Sequence, residues 1–461
     1  MNAPPLIAGF AADAVFAWSG AAAISPQHFL HDVARLAERL PHRGHMLNLC
    51  ADRYRFAVGF AAALLRQQVS LLPPNHTPDL VRQLTHDYPG VYCLAEAGGP
   101  TLAMESFFYP AEAHADAAAA PAAPAAALQI PAIPAAQVAA IVFTSGSTGT
   151  PLPNRKTWGH LVQSAQAEAA RLGLATRPGA PPFALVGTVP PQHMYGFEST
   201  VLLPMQGGVA MHAGRPFYPA DIAAALDALP RPRALISTPV HLRALVGETG
   251  ALPAVDFLLC ATAPLADDLA HESEARLGAP LYEIYGCTEA GQVATRRSTA
   301  GAQWQALPGL ALRQDERGTW VGGGHVDGEV LLGDVIELAD PTHFELRGRN
   351  ADLVNIAGKR TSLPHLNFQL NAIAGVRDGV FFMPEEHGEV TRLAAFVVAP
   401  ELSAAQITQA LRLRVDPVFL PRPLYLVESL PRNSTGKLTH AALRELLAQC
   451  ACGQAEHNGG R

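Results

Sequence analysis

Short apolar runs that end in Gly, Ser or Thr recur through the middle of the chain: Val138–Phe143, Phe183–Val189, Ala234–Ile236, Val255–Cys260 and Leu281–Ile284. A brief, unbroken apolar run bounded by turn residues predicts a strand buried on both faces. Helix-compatible segments such as Asp267–Leu277 lie between the runs. Alternation of this kind predicts a parallel sheet with helical crossovers, whose functional loops sit at the carboxyl ends of the strands. Most of the Gly/Ser/Thr clusters fall there. Over residues 318–346 the pattern changes to Gly-rich turns and alternating strands, GEVLLGDVIEL and then HFELRGR. Beyond Arg349 the chain restarts as a compact α+β unit of about 110 residues. The expected architecture is α/β: a large N-terminal domain, residues 1–348, of α/β layers plus a β-rich segment, and a small C-terminal α+β domain, residues 349–461, with the boundary at 348–352. Residues 113–137, AHADAAAAPAAPAAALQIPAIPAAQ, are low-complexity Ala/Pro. Repeated prolines forbid a continuous helix, so a surface connector is expected. No internal repeat is visible.

Composition narrows the function classes. The chain has 461 residues, 49% of them hydrophobic, enough for buried cores in two or three domains. A net charge of -7 and the lack of any basic run argue against a nucleic-acid partner. The six cysteines form no CxxC pair, which suits reduced thiols in a cytoplasmic protein. Residues 5–24 are apolar, but no Lys or Arg precedes them and Asp13 interrupts them, so a signal peptide is not expected. No uncharged apolar stretch has the composition of a membrane span.

Three short stretches carry candidate chemistry. Thr144-Ser145-Gly146-Ser147-Thr148-Gly149 follows a predicted strand. Its glycines let backbone N–H groups turn inward and its hydroxyls add donors, as an oligophosphate requires. The spacing fits neither a Walker A loop nor a nucleophile elbow, and a plain surface loop is the alternative. Tyr285-Gly286-Cys287-Thr288-Glu289 offers an aromatic face, a hydroxyl and a carboxylate, the last a natural Mg²⁺ ligand beside phosphates. An exposed turn with a solvated Glu is the other reading. Gly333-Asp334 ends a predicted strand, where an acid can accept from ribose hydroxyls or simply make a turn. The basic residues sharpen the picture. Of 33 basic side chains only three are lysine, Lys156, Lys359 and Lys437, and all three lie in Gly/Ser/Thr-rich stretches. Lysine kept against such a bias points to sites needing a compact, mobile point charge.

Together TSGSTG, PQHMYGF, YGCTE, GD, RGRNADLVNIAGKR and LPRNSTGK, in this order between residues 138 and 440, resemble the AMP-forming acyl- and aryl-CoA synthetases. That family shares a superfamily with peptide-synthetase adenylation domains and firefly luciferase. The resemblance implies that Thr144 to Gly149 hold the β- and γ-phosphates of ATP. It implies that Thr262, Ala263, Pro264 and Tyr285 with Gly286 enclose the adenine, and that Thr288 meets the α-phosphate. Glu289 would hold Mg²⁺, Asp334 and Arg349 the ribose, and Arg360 the phosphates. Lys437, on a mobile C-terminal domain, would reach the carboxylate and α-phosphate oxygens as the acyl-adenylate forms. A pantetheine thiol, of CoA or a carrier protein, would then accept the acyl group from outside the chain.

Three departures from the family pattern stand out. Leu152 follows Pro151 where the family places lysine; Lys156 either substitutes for it or is an ordinary surface cation. Ala351 occupies the usual hinge position, and Cys260-Ala261-Thr262-Ala263-Pro264 replaces the usual Gly-Gly adenine segment. The PLPNRKTW variant loosely resembles the ligases of bacterial aryl-polyene pathways. His193 falls where the family puts a histidine beside the acyl pocket, the alternative being a core histidine satisfied by a backbone carbonyl. No acid lies between Phe183 and Phe197 to bind an α-amino group, and Tyr195, Gly196 and Phe197 suit a flat or chain-like apolar acid. A non-catalytic nucleotide-binding relative and an amino-acid adenylation enzyme are the competing expectations. The first 137 residues contribute little to the resemblance.

Overall fold

The computed structural model describes residues 3–11, 14–110, 129–144, 152–174, 182–349, 353–356, 359–384, 393–433 and 437–458. Four of the five apolar runs form the spine of an 11-stranded sheet, and Val138–Phe143 falls in a second sheet. The parallel centre of the first consists of Ala17–Ser19, Ala210–His212, Ala184–Gly187, Arg233–Ser237, Phe257–Cys260 and Leu281–Cys287, in that spatial order. Ala184–Gly187, Arg233–Ser237 and Phe257–Cys260 are buried at every residue, which is why they read as continuous apolar runs rather than alternating ones. The predicted helix Asp267–Leu277 forms over those same residues, closed by Gly278 in the left-handed region at φ 68°. Past Leu281–Cys287 the sheet turns antiparallel through Gly291–Arg296, Trp304–Ala306, His343–Arg349 and Asp334–Asp340. Asp334 therefore opens a strand; the preceding one, Glu329–Leu331, stops short of the turn at Gly333.

The N-terminal region contributes more than its motif-poor sequence suggests. Ser106–Phe108, Tyr92–Ala95, His45–Asn48, Val69–Leu72 and Val138–Thr144 make five parallel strands of a second, six-stranded sheet. Leu152–Thr157 completes it antiparallel to Val138–Thr144, so the expected phosphate loop is the connection of a hairpin. Within the expected connector, residues 129–137 are built into the fold rather than lying over it. Ile133 is buried in the largest core cluster, and Leu6 N–H donates to the Pro131 carbonyl at 2.8 Å. An apolar Ile-Pro-Ala-Ile-Pro segment still has surface to bury even where proline denies it a helix.

After residue 353 the chain forms the hairpin Leu353–Ile356 with Lys359–Ser362 and a three-stranded sheet of Asp378–Phe382, Ala394–Val398 and Leu424–Leu426. The helices Leu363–Asn371 and Ala404–Arg412 accompany them. Two core clusters here draw only on residues 354–450. The expected boundary falls between His343–Arg349 and Leu353–Ile356, and Ala351 lies outside the described residues. Among the described residues no helix is long and apolar enough to cross a membrane.

Candidate active site

Three neighbouring parallel strands end together at Gly187, Ser237 and Cys260, and the fourth, Leu281–Cys287, runs past the Cys260–Glu283 pairing. From Ala184–Gly187 the chain crosses to Ala210–His212 on one side; from Arg233–Ser237 it proceeds to the other. This reversal is a topological switch point, which opens a crevice at the carboxyl ends of the two strands. A polar cluster absent from the sequence expectations occupies it. Thr188 Oγ1 lies 3.1 Å from Ser237 Oγ and 3.2 Å from His241 Nδ1, which is 2.9 Å from Thr238 Oγ1.

His193 stands at the same end, as the N-cap residue of the short helix Met194–Phe197. Its Nδ1 is buried without a hydrogen-bond partner, so the reading of a core histidine satisfied by a carbonyl does not apply to that atom. Burial first, and then the charge of Lys437, hold the imidazole neutral, with a pKa of about 3. The charge of Lys437, in the C-terminal LPRNSTGK stretch, thus acts on His193 although it lies 244 positions further along. Its own loop is tied by Lys437 N–H donating to Asn433 Oδ1, 2.9 Å, and by the Lys437 carbonyl accepting from Asn433 N–H, 2.9 Å. Tyr195 O–H donates to the Leu259 carbonyl at 3.1 Å. Gly196 packs so closely that an added Cβ would lie 2.0 Å from the Pro190 carbonyl oxygen.

The expected adenine segments follow the next two strands. Thr262 has φ 83°, a strained value for a β-branched residue, and its Oγ1 is buried with no partner. Strain of this kind persists only where surrounding structure imposes it, and it concentrates at binding sites. Ala263 and Pro264 continue the turn before the helix Asp267–Leu277. Tyr285 is held edge-on by Trp304 and Phe344, with ring centroids 5.8 and 5.9 Å away, and its O–H donates to Asp334 Oδ2 at 2.5 Å. Strand register sets Asp334 opposite Arg349. A bulge follows Tyr285, and at Gly286 a Cβ would fall 2.4 Å from the Gly291 carbonyl oxygen, so only glycine passes here. Thr288 and Glu289 lie on the turn to Gly291–Arg296, and Glu289 is exposed. Thr144 ends its strand, whereas Ser145, Gly146, Ser147, Thr148 and Gly149 lie outside the described residues. Arg360 is placed on the strand Lys359–Ser362.

Lys156 is not a surface cation. It takes the inward position of its strand, 9% exposed, and Nζ donates to the Glu289 carbonyl at 2.7 Å. Other supporting residues were also missed from sequence. Arg53 is fully buried and donates to Thr200 Oγ1 and to the carbonyls of Gly187, Val189, His212 and Gly214 at 2.8–3.1 Å. It ties the strand ends that form the crevice, yet nothing in ADRYRFAVGF distinguishes it from a solvated helix arginine. Glu198 sits in the π-helical turn Glu198–Leu202, a form found mostly at functional sites. A lone acid inside the apolar run of FESTVLLP was the available signal for it.

Comparison with known proteins agrees with this geometry. A family model described as AMP-binding enzyme matches residues 90–333. The 4-coumarate–CoA ligase of Rhodobacter capsulatus is 32% identical over 309 residues, spanning 66% of this chain and 75% of the relative. The medium-chain fatty-acid–CoA ligase of Escherichia coli is 25% identical across 69% of this chain and 64% of its own length. Among solved structures, o-succinylbenzoate CoA synthetase from Bacillus subtilis, in complex with its acyl-adenylate intermediate, superposes with a TM-score of 0.75 at 18% identity, covering 92% of this chain and 93% of that one. The family match includes the four strands whose ends make the crevice, and a ligase relative matches over three quarters of its length: the chain belongs to the AMP-binding enzyme family.

Proposed function

We propose that the protein activates an aryl or acyl carboxylic acid with ATP and passes the product to a pantetheine thiol. In the first step a carboxylate oxygen bonds to the α-phosphorus, pyrophosphate leaves, and an acyl-adenylate forms. In the second the thiol sulfur attacks the acyl carbon and AMP leaves. The observation that carries this reading is the convergence of His193, the Thr262 and Tyr285 segments and the charge of Lys437 on one set of strand ends. With the imidazole neutral, positive charge at the crevice would come from Lys437 and from buried Arg53, and preorganised positive charge stabilises the charge gathering at the α-phosphate.

The residues present fit a magnesium nucleotide. Among the described residues no group of three or more His, Cys, Asp or Glu could hold a metal alone. Mg²⁺ on a nucleotide needs only one or two carboxylates plus phosphate oxygens, and exposed Glu289 supplies a hard oxygen donor. When bound, the ion neutralises phosphate charge. Tyr285 would face the adenine, and Asp334, already an acceptor for Tyr285 O–H, would take a ribose hydroxyl with Arg349 opposite. The orphaned Thr262 Oγ1 is a further polar group for the nucleotide. Thr144 to Gly149 and Arg360 would take the phosphates. Residues 1–348 and 349–461 act as two domains in this reading, with Lys437 delivered by the second.

CoA is the acceptor we favour, since the relatives matched over the greatest length are CoA ligases; a carrier protein is the alternative acceptor. The free thiols Cys50, Cys93, Cys260, Cys287 and Cys450 suit a cytoplasmic setting. The test is pyrophosphate release with a panel of hydroxylated aryl acids and medium-chain fatty acids, with mass detection of the CoA thioester. Acid-dependent pyrophosphate and thioester are expected. A protein that binds ATP but releases no pyrophosphate with any acid would be a nucleotide-binding relative instead. Thioester formed only on a carrier protein would replace the acceptor and leave the first step standing.

A further inference from the structure

Behind the Tyr285–Glu289 turn lies a buried polar cluster that the proposed reaction does not use. Lys156 reaches the Glu289 carbonyl from another sheet, across 133 positions of sequence. Burial pulls its ammonium toward neutrality, and Glu198, foremost among its acidic neighbours, opposes this. Glu198 is 4% exposed, and its Oε1 accepts from Ser164 Oγ at 3.4 Å. Ser164 and Glu168 share one face of the helix Trp158–Arg171, being four residues apart. Gln292 Nε2 donates to Glu168 Oε2 and to Ser199 Oγ, both at 3.0 Å. His325 Nε2 donates to the Gln292 carbonyl at 2.8 Å. Gly291 has φ 82°, and a Cβ there would lie 3.1 Å from Glu198 Oε1. The turn that carries Thr288 and Glu289 is therefore held from behind at the carbonyls of Glu289 and Gln292, while Glu289 as a residue is exposed.

We propose that Lys156 is a positioning residue: with buried Glu198 as its neighbour, it fixes the Glu289 main chain so that the Glu289 carboxylate meets the metal nucleotide, and it does not itself touch the phosphates. This rests on the proposed function and deepens it. A short bond from a desolvated ammonium to a carbonyl is a strong restraint. Glu289 sits on a turn two residues before Gly291, where backbone freedom is otherwise high. Rigid support of this kind is what holds a functional group in its productive geometry.

A single substitution would confuse positioning with folding, because Lys156 and Glu198 are buried neighbours and replacing one alters the surroundings of the other. The informative variant is Lys156→Met combined with Glu198→Gln, with Lys156→Arg as the conservative control. Thermal melting and calorimetric ATP binding, each with and without Mg²⁺, provide readouts that do not depend on turnover. The double variant should melt close to the wild type and bind ATP alone with unchanged affinity. The Mg²⁺ concentration that half-saturates the ATP complex should rise about tenfold. Lys156→Arg, which still offers a donor to the carbonyl, should recover part of that loss. A wild-type Mg²⁺ response in the double variant would show the pair to be purely structural and overturn the inference. Weakened ATP binding without Mg²⁺ would place Lys156 on the phosphates and overturn it too. A double variant melting far below the wild type would refute the role given to Glu198. Failure of the wild type itself to bind magnesium–ATP would instead strike the proposed function, and the inference with it.

Discussion

Glu289 and Glu168 show how environment assigns different work to the same side chain. Glu289 is exposed, which leaves it accessible for the metal role proposed for it. Glu289→Gln should raise the Mg²⁺ requirement for adenylation several-fold, because an amide is the weaker ligand; an unchanged Mg²⁺ titration would remove its metal role. Glu168 is fully buried, and burial pushes its carboxyl up to about 7 from an ordinary 4.5. The folded protein therefore holds this proton more tightly than the unfolded chain does. Stability falls as pH rises from about 4.5 to about 7 and changes little above, since only the unfolded state releases the proton readily across that window. Glu168→Gln keeps an acceptor but cannot ionise. Urea unfolding between pH 5 and 7.5 should show the wild type losing roughly 2 kcal/mol more than this variant. Parallel pH profiles would contradict the assignment. Glu198, pushed up to about 8 by burial, should leave the variant a remaining slope of the same sign.

Met194–Phe197, Glu198–Leu202 and Leu203–Gly207 run on as one helix whose middle is π-wound. Its start carries His193 and its middle carries Glu198, so one element supports both the crevice and the buried cluster. Gly196 is where it passes closest to the strand-end turn. Gly196→Ala must move either the helix or Pro190, at a cost of about 2–3 kcal/mol on the scale of overpacked cores, and should weaken acid binding with it. Denaturant midpoint and acid KM check this; an alanine variant matching the wild type in both would show the turn to be slack. Much at this scale was legible in sequence. The five apolar runs became strands within three residues of their expected ends, because a strand buried along its length leaves an unbroken apolar signature, as in Ala184–Gly187, Arg233–Ser237 and Phe257–Cys260. PLPNRKT did not read as a strand, since its prolines, its exposed Leu152 and its inward lysine give no apolar alternation. The π-turn was equally hidden, because a one-residue widening of a helix has no composition of its own.

Across the whole molecule, the order of motifs along the chain translated well into place. Tyr285, near the end of a parallel strand, and Asp334, at the start of an antiparallel one, meet within the same sheet although 49 positions apart. Arg53 was opaque, since its work is to hold strand ends through backbone carbonyls, and carbonyls carry no residue identity. Lys156 was visible as a rare lysine, but its partner could be known only once two sheets were brought together. The claim that depends on the entire assembly is adenylation by Lys437 at a crevice built by other elements. Acid-dependent exchange of labelled pyrophosphate into ATP, in the absence of any thiol, isolates that step. The wild type should catalyse the exchange, and Lys437→Ala should lose roughly 10²–10³-fold, as when one transition-state donor is removed. The same variant should still convert supplied acyl-adenylate to thioester at close to the wild-type rate. No acid-dependent exchange by the wild type, or equal damage to both half-reactions in the variant, would contradict it.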